Sequence, residues 1–88
     1  MTARERSFSE LELTILEMTQ ELEVTREELL GQGRAQHVAR ARQMVWFVLS
    51  RAFGWHPKKI ALHFGRDRST VIHGINTIES IVKRSGAK

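Results

Sequence analysis

The chain has no cysteine. Disulfides and thiolate metal sites are therefore excluded. No apolar run approaches the roughly 20 residues that span a bilayer, and the N-terminus, MTARERSFSE, lacks the apolar stretch of a signal peptide. A soluble, cytoplasmic protein with no membrane partner is the expectation. Acids nearly vanish after residue 30, where only Asp67 and Glu79 remain. A two-metal nuclease needs several carboxylates, so the chain is not expected to be an enzyme. His37, His56, His63 and His73 include no i,i+4 pair, and no metal or other cofactor is expected. A phosphate-cradling G-x-x-x-x-G-K-[ST] run is missing too, so no nucleotide is expected. Eighty-eight residues leave no room for an ATPase module beside a binding module. No strand pattern, repeat or low-complexity segment is visible.

What is there is charge of two signs, kept apart. Residues 1–30 carry three arginines against eight glutamates, a balance of −5. Residues 31–88 carry eleven lysines and arginines against two acids, a balance of +9. Such asymmetry suggests a polyanion partner for the second part. It is equally what two solubilising faces would give. One domain over residues 1–88 is expected, with acidic helices over 9–30 and a basic core over 31–88.

The apolar spacing predicts an all-α fold. A first helix should start at Ser7 or Ser9, with Leu11, Ile15, Met18 and Leu22 on one face. Thr25 and Glu28 form a T-x-x-E capping box for a very short helix that ends at Gly31. Gly31–Arg34 reads as a loop. A long, nearly central helix follows from about Ala35 to Phe53, with Val38, Ala41, Val45, Leu49 and Ala52 at helical spacing and Met44, Trp46, Phe47 and Val48 widening the apolar face. Trp46 and Phe47 are expected in the core rather than as stacking platforms. Trp55 is open between a packing plug and a partly exposed ring. Pro57 suits the first position of a helix to Phe64, and Gly65 suits its C-terminal cap with positive φ. The last helix should run from Arg68 to about Lys83 behind Asp67 as N-cap, with Val71, Ile75, Ile78 and Val82 on its buried stripe. Gly74 in its middle suggests close approach of another helix. The tail Ser85–Lys88 reads as frayed.

Two short helices around a glycine turn, the second amphipathic, make a helix-turn-helix candidate. There the head of the second helix reaches base edges. Arg68 can bind guanine, Asp67 can accept from cytosine, and the hydroxyls of Ser69 and Thr70 can meet either. The bland reading is a capping aspartate and a solvated arginine.

FGRDRSTVIHG, Phe64 to Gly74, and VARARQM, Val38 to Met44, together resemble the C-terminal DNA-binding domain of the bacterial chromosomal replication initiators of the DnaA family. Weaker similarity extends from about Leu11 to Arg84. The resemblance implies a small helical domain with a long central helix and an amphipathic recognition helix, bound to double-stranded DNA at A·T-rich boxes. It implies that Arg34 enters the minor groove. It places Asp67, Arg68, Ser69 and Thr70 at bases of the major groove. Arg42 and Gln43 match a pair that holds phosphate, and Pro57, Lys58 and the turn residue Arg66 fall where the motif meets the backbone.

The departures from the family pattern are Arg68 for histidine, Ser69 for threonine, Ala41 for proline, one missing turn glycine, and Gln32, Gly33, Ser50, Asn76 and Thr77 where basic residues are common. Lys58 and Lys59 add charge. The expected function is a free-standing, sequence-specific reader of duplex DNA, nucleoid-associated, that regulates replication or transcription. The alternative is a protein-interaction module that kept the fold and lost most DNA binding. The acidic first helix is a candidate surface for a protein partner.

Overall fold

The computed structural model describes residues 1–86 as five helices: α1 (Ala3–Glu21), α2 (Arg26–Leu30), α3 (Gln36–Arg51), α4 (Pro57–Phe64) and α5 (Arg68–Gly86). No strand occurs among the described residues, and no helix there is long and apolar enough to cross a membrane. The expected all-α class holds.

The first helix starts earlier than Ser7. Thr2 is its N-cap: its hydroxyl accepts from the Glu5 N–H, and the Glu5 carboxylate accepts from the Thr2 N–H. This reciprocal pair satisfies two donors that a helix start leaves open. Thr25 and Glu28 repeat the device at α2, as expected. Ile15 and Met18 are buried on the predicted α1 face, and Leu11 and Leu22 are half-buried. Thr14 is wholly buried as well, because its hydroxyl donates to the Glu10 carbonyl 2.8 Å away and leaves no polar group unpaired. Both Glu12 oxygens accept from Arg26, which ties α1 to α2.

The third helix packs against each of the other four. Val38, Ala41, Val45, Trp46 and Leu49 are buried in one core that also takes Ile15, Leu29, Trp55, Ile60, Phe64, Val71 and Ile75. Ala52 lies past the end of α3 and is exposed, since the chain turns there into Gly54 at φ 72°. Trp55 resolves as a packing plug. It is 4% exposed, its indole N–H donates to the Glu10 carboxylate at 2.7 Å, and the Lys59 ammonium sits 4.1 Å from its ring centre. The Lys59 ammonium also donates to the Ser7 hydroxyl, so this cluster fastens α1 over α4.

The fourth helix has the expected ends. Its cap is a surprise: His56 Nδ1 accepts from the Lys58 N–H. Gly65 closes α4 at φ 62°, and the Arg66 N–H reaches back to the Ala61 carbonyl. The fifth helix buries Val71, Ile75 and Ile78. Val82, expected on the buried stripe, is exposed, while Ile81 beside it is half-buried, and α5 runs on through Ser85 and Gly86. Of the tail expected to fray, Ala87 and Lys88 lie outside the described residues.

Trp46 packs against both helices of the helix-turn-helix. Its ring meets Phe64 of α4 edge-on, with centroids 5.9 Å apart. Its six-membered ring also lies where a side chain on residue 74 would go: a Cβ on Gly74 would stand 2.8 and 2.9 Å from Cε3 and Cζ3 of Trp46. The expected close approach at Gly74 is thus made by an indole of α3. Trp46 is 3% exposed, and its N–H has no partner among the described residues. A buried donor left unpaired costs stability.

Gly74→Ala should gain about 1 kcal/mol of helix propensity and lose about 1–3 kcal/mol to overpacking. Urea unfolding should then show a net loss of up to about 2 kcal/mol. In a Trp46→Leu background the same substitution should cost less, because only the flexible Gln43 side chain, with Cγ 3.0 Å from the new Cβ, is left to yield. Equal effects in both backgrounds would show that the indole is not what demands glycine.

Candidate nucleic-acid interface

The head of α5 is built as an open polar surface. Gly65 ends α4 in the left-handed conformation, which frees the chain to turn within two residues. The Asp67 carbonyl accepts the Val71 N–H at 3.2 Å, which places Asp67 at the N-cap position. Its carboxylate makes no hydrogen bond among the described residues, so the expected side-chain cap is not formed there. Asp67, Arg68, Ser69 and Thr70 are all exposed. Their backbone is held by Val71 and Gly74 packed beneath them.

The loop before α3 comes to the same side. Arg66, in the turn, donates from Nη2 to the Gly31 carbonyl at 2.7 Å, across 35 residues of sequence. The Gln32 amide nitrogen lies 3.9 Å from where a Cβ of Gly65 would stand. Arg34 is exposed at the loop's far end and makes no hydrogen bond or ion pair among the described residues. The loop that leads to Arg34 therefore lies against the turn that leads to the head of α5.

The candidate backbone-contacting residues divide. Lys58 is exposed, Pro57 and Gln43 are half-buried, and Arg66 is partly exposed. Arg42 is different. Expected at phosphate, it is 3% exposed and points inward. Its Nε donates to the Leu29 carbonyl at 2.9 Å, Nη2 to the Glu28 carbonyl at 2.7 Å and Nη1 to the Gly33 carbonyl at 3.3 Å. Burial holds its pKa below the usual arginine value, and the charge of nearby Arg66 adds to that shift. Lys59, the other added lysine, is folded onto Trp55 and leaves Lys58 as the outward one.

The family model described as the bacterial DnaA protein helix-turn-helix matches residues 14–78. This chain belongs to that family. A chromosomal replication initiator protein DnaA from Kosmotoga olearia is 39% identical over 61 residues, covering 68% of this chain and 14% of that protein. The one from Chlorobaculum tepidum is 38% identical over 63 residues, covering 70% and 13%. The one from Thermomicrobium roseum is 32% identical over 69 residues, covering 77% and 15%. The chain thus corresponds to a small part of the length of these relatives. No solved structure matches it at a comparable level. The DnaA helix-turn-helix is a DNA-binding domain, and the match takes in Arg34 and the whole head of α5. It leaves out residues 1–13, the first half of α1.

His56 as a cap and Lys59 as an aromatic partner were not anticipated. Both are local contacts, His56 to the N–H two residues on and Lys59 to the ring four residues back, and neither residue type signals the role by itself.

The two interface glycines should respond in opposite ways. Gly65→Ala forces a side chain into the left-handed region and should cost about 1–2 kcal/mol. Gly33 has no positive φ and open space around its missing Cβ, so Gly33→Ala should stabilise by about 0.4–1 kcal/mol through the unfolded state. Denaturant midpoints of the two variants check the pair; equal shifts would contradict the turn geometry.

Proposed function

We propose that this chain is a sequence-specific reader of double-stranded DNA. Asp67, Arg68, Ser69 and Thr70 read base edges in the major groove, and Arg34 reads the adjacent minor groove. Lys58, with Pro57 and Gln43 beside it, meets phosphate. The observation that carries this reading is the loop of Arg34 tied by Arg66 to the turn that opens α5, with every proposed base-reading side chain exposed. The balance of +9 over residues 31–88 supports a polyanion partner. A narrow A·T-rich minor groove has the negative potential that favours an inserted arginine. The binding needs no nucleotide, metal or catalysis. Its setting is the cytoplasm, on the nucleoid, and its output is regulation of replication or transcription through boxes like those of the initiator.

The departures point to altered bases. Arg68 has the forked donor that suits guanine O6 and N7. Ser69 offers a hydroxyl without the methyl that threonine would place on thymine.

A second reading, an interaction module with little DNA binding left, draws on α1. Phe8, Leu13 and Leu16 are exposed there among glutamates. Co-purification with a protein partner, together with no duplex binding at low salt, would favour it. Tight duplex binding by the chain would count against it.

Selection from a randomised duplex pool should yield a preferred site, and no preference at moderate salt would refute specific readout. Affinity for that site should fall steeply with salt, as neutralised phosphates release counterions. Lys58→Ala should weaken all duplexes alike and reduce the log–log salt slope by about 0.9. Arg68→Ala should cost about 1–3 kcal/mol at one base pair and relax preference there alone.

A further inference from the structure

Two guanidinium groups converge on one short stretch of backbone. Arg42 holds the carbonyls of Glu28, Leu29 and Gly33, and Arg66 holds that of Gly31. The carbonyls of Glu28 and Leu29 close a helix of five residues; that of Glu28 also accepts a long 3.3 Å bond from the Gly31 N–H, and helix ends leave such carbonyls short of partners. Those of Gly31 and Gly33 straddle Gln32 and stop one residue short of Arg34. The loop is thus pinned at two points from two different elements: α3 on one side, the turn of the helix-turn-helix on the other.

Neither arginine faces a carboxylate among the described residues. Their charges lie close enough for Arg66 to disfavour the charged form of Arg42. Holding two cations together without an acid is costly. A loop that only had to close a gap between α2 and α3 would not need it. Arg66 connects the turn before α5 to the loop before Arg34, and that link sets the spacing between the two candidate reading elements.

We infer that Arg66 and Arg42 are positioning residues: they grip the loop carbonyls rather than phosphate, and lock Arg34 in register with the head of α5 so that both grooves are engaged at once. This rests on the duplex-reading function proposed above. Three of the donors of Arg42 are already held by carbonyls. The partly exposed Arg66 directs Nη2 into the protein, and its Nε is buried. A tie and a phosphate contact make different demands. A tie acts through Arg34, so its loss matters only while Arg34 is present. A phosphate contact acts alone.

The test is a double-mutant cycle with the full chain on its selected duplex, over a range of salt. Arg34→Ala, Arg66→Ala and the double variant are compared with the wild type, each checked for helical content and thermal unfolding. Arg66→Ala should weaken binding about tenfold in the wild-type background and less than about twofold in the Arg34→Ala background. It should also flatten the preference for A·T at the positions that depend on Arg34. An equal loss in both backgrounds, with the salt slope reduced by about 0.9 in each, would make Arg66 a phosphate ligand and overturn the inference alone. No sequence preference in the wild type, with no effect of Arg34→Ala, would overturn both this inference and the function it rests on. If Arg66→Ala does not fold, the wild type decides. The Nε–H resonances of Arg42 and Arg66 should keep their positions when duplex is added, and movement of either onto phosphate would overturn the assignment.

Discussion

Among the described residues the buried charge of Arg42 is answered only by peptide carbonyls, and much of the interface follows from that arrangement. The second helix ends with carbonyls that only one long backbone bond, Gly31 N–H to Glu28, answers locally, and Gly31-Gln32-Gly33 has little side chain to bury. Both problems are met by one guanidinium entering from α3. Truncating it would leave orphaned backbone groups beneath the loop, which is costly in a low-dielectric setting. The same helix sets the other side of the interface, because Trp46 fills the space opposite Gly74 and meets Phe64. Loop and recognition helix therefore depend on two side chains of α3, one turn apart.

Much of this was legible in the sequence where local chemistry decides. Pro57 and Gly65 mark the ends of α4, because one has a fixed φ and no N–H and the other accepts positive φ. The T-x-x-E pattern marks α2. The same pattern at Thr2 and Glu5 is weaker in the sequence, since no helically spaced apolar stripe begins before Phe8; the capping bonds themselves start α1 at Ala3. The inward turn of Arg42 was harder to see. Between Ala41 and Gln43 it looks like a surface residue. Yet it stands four residues after Val38 and four before Trp46, both buried, and so lies on the inward row of α3. What the sequence could not supply was the set of carbonyls, thirteen or fourteen residues away, that make such a position tolerable. The placements of Trp55 and Lys59 were unreadable for the same reason, since Glu10 and Ser7 meet them only in the folded chain.

Membership in the DnaA helix-turn-helix family gives the chain a DNA-binding architecture, and its own residues decide how that architecture is used. The proposed reading keeps the two-groove plan but changes its chemistry at Arg68 and Ser69. It also leaves fewer outward basic residues than the sequence suggested, with Arg42 inside and Lys59 on Trp55. Affinity would then depend more on the match between loop and helix than on the number of phosphates touched. The acidic α1 keeps exposed apolar residues of its own.

The central claim is that the loop and the head of α5 form one rigid reading surface. Amide chemical-shift titration of the isotopically labelled chain with its selected duplex tests it most directly. The account predicts that residues 32–34 and 67–70 shift together with a single apparent affinity, while the outward face of α1 stays unmoved. Shifts confined to α5 with the loop silent, or shifts centred on α1, would contradict it.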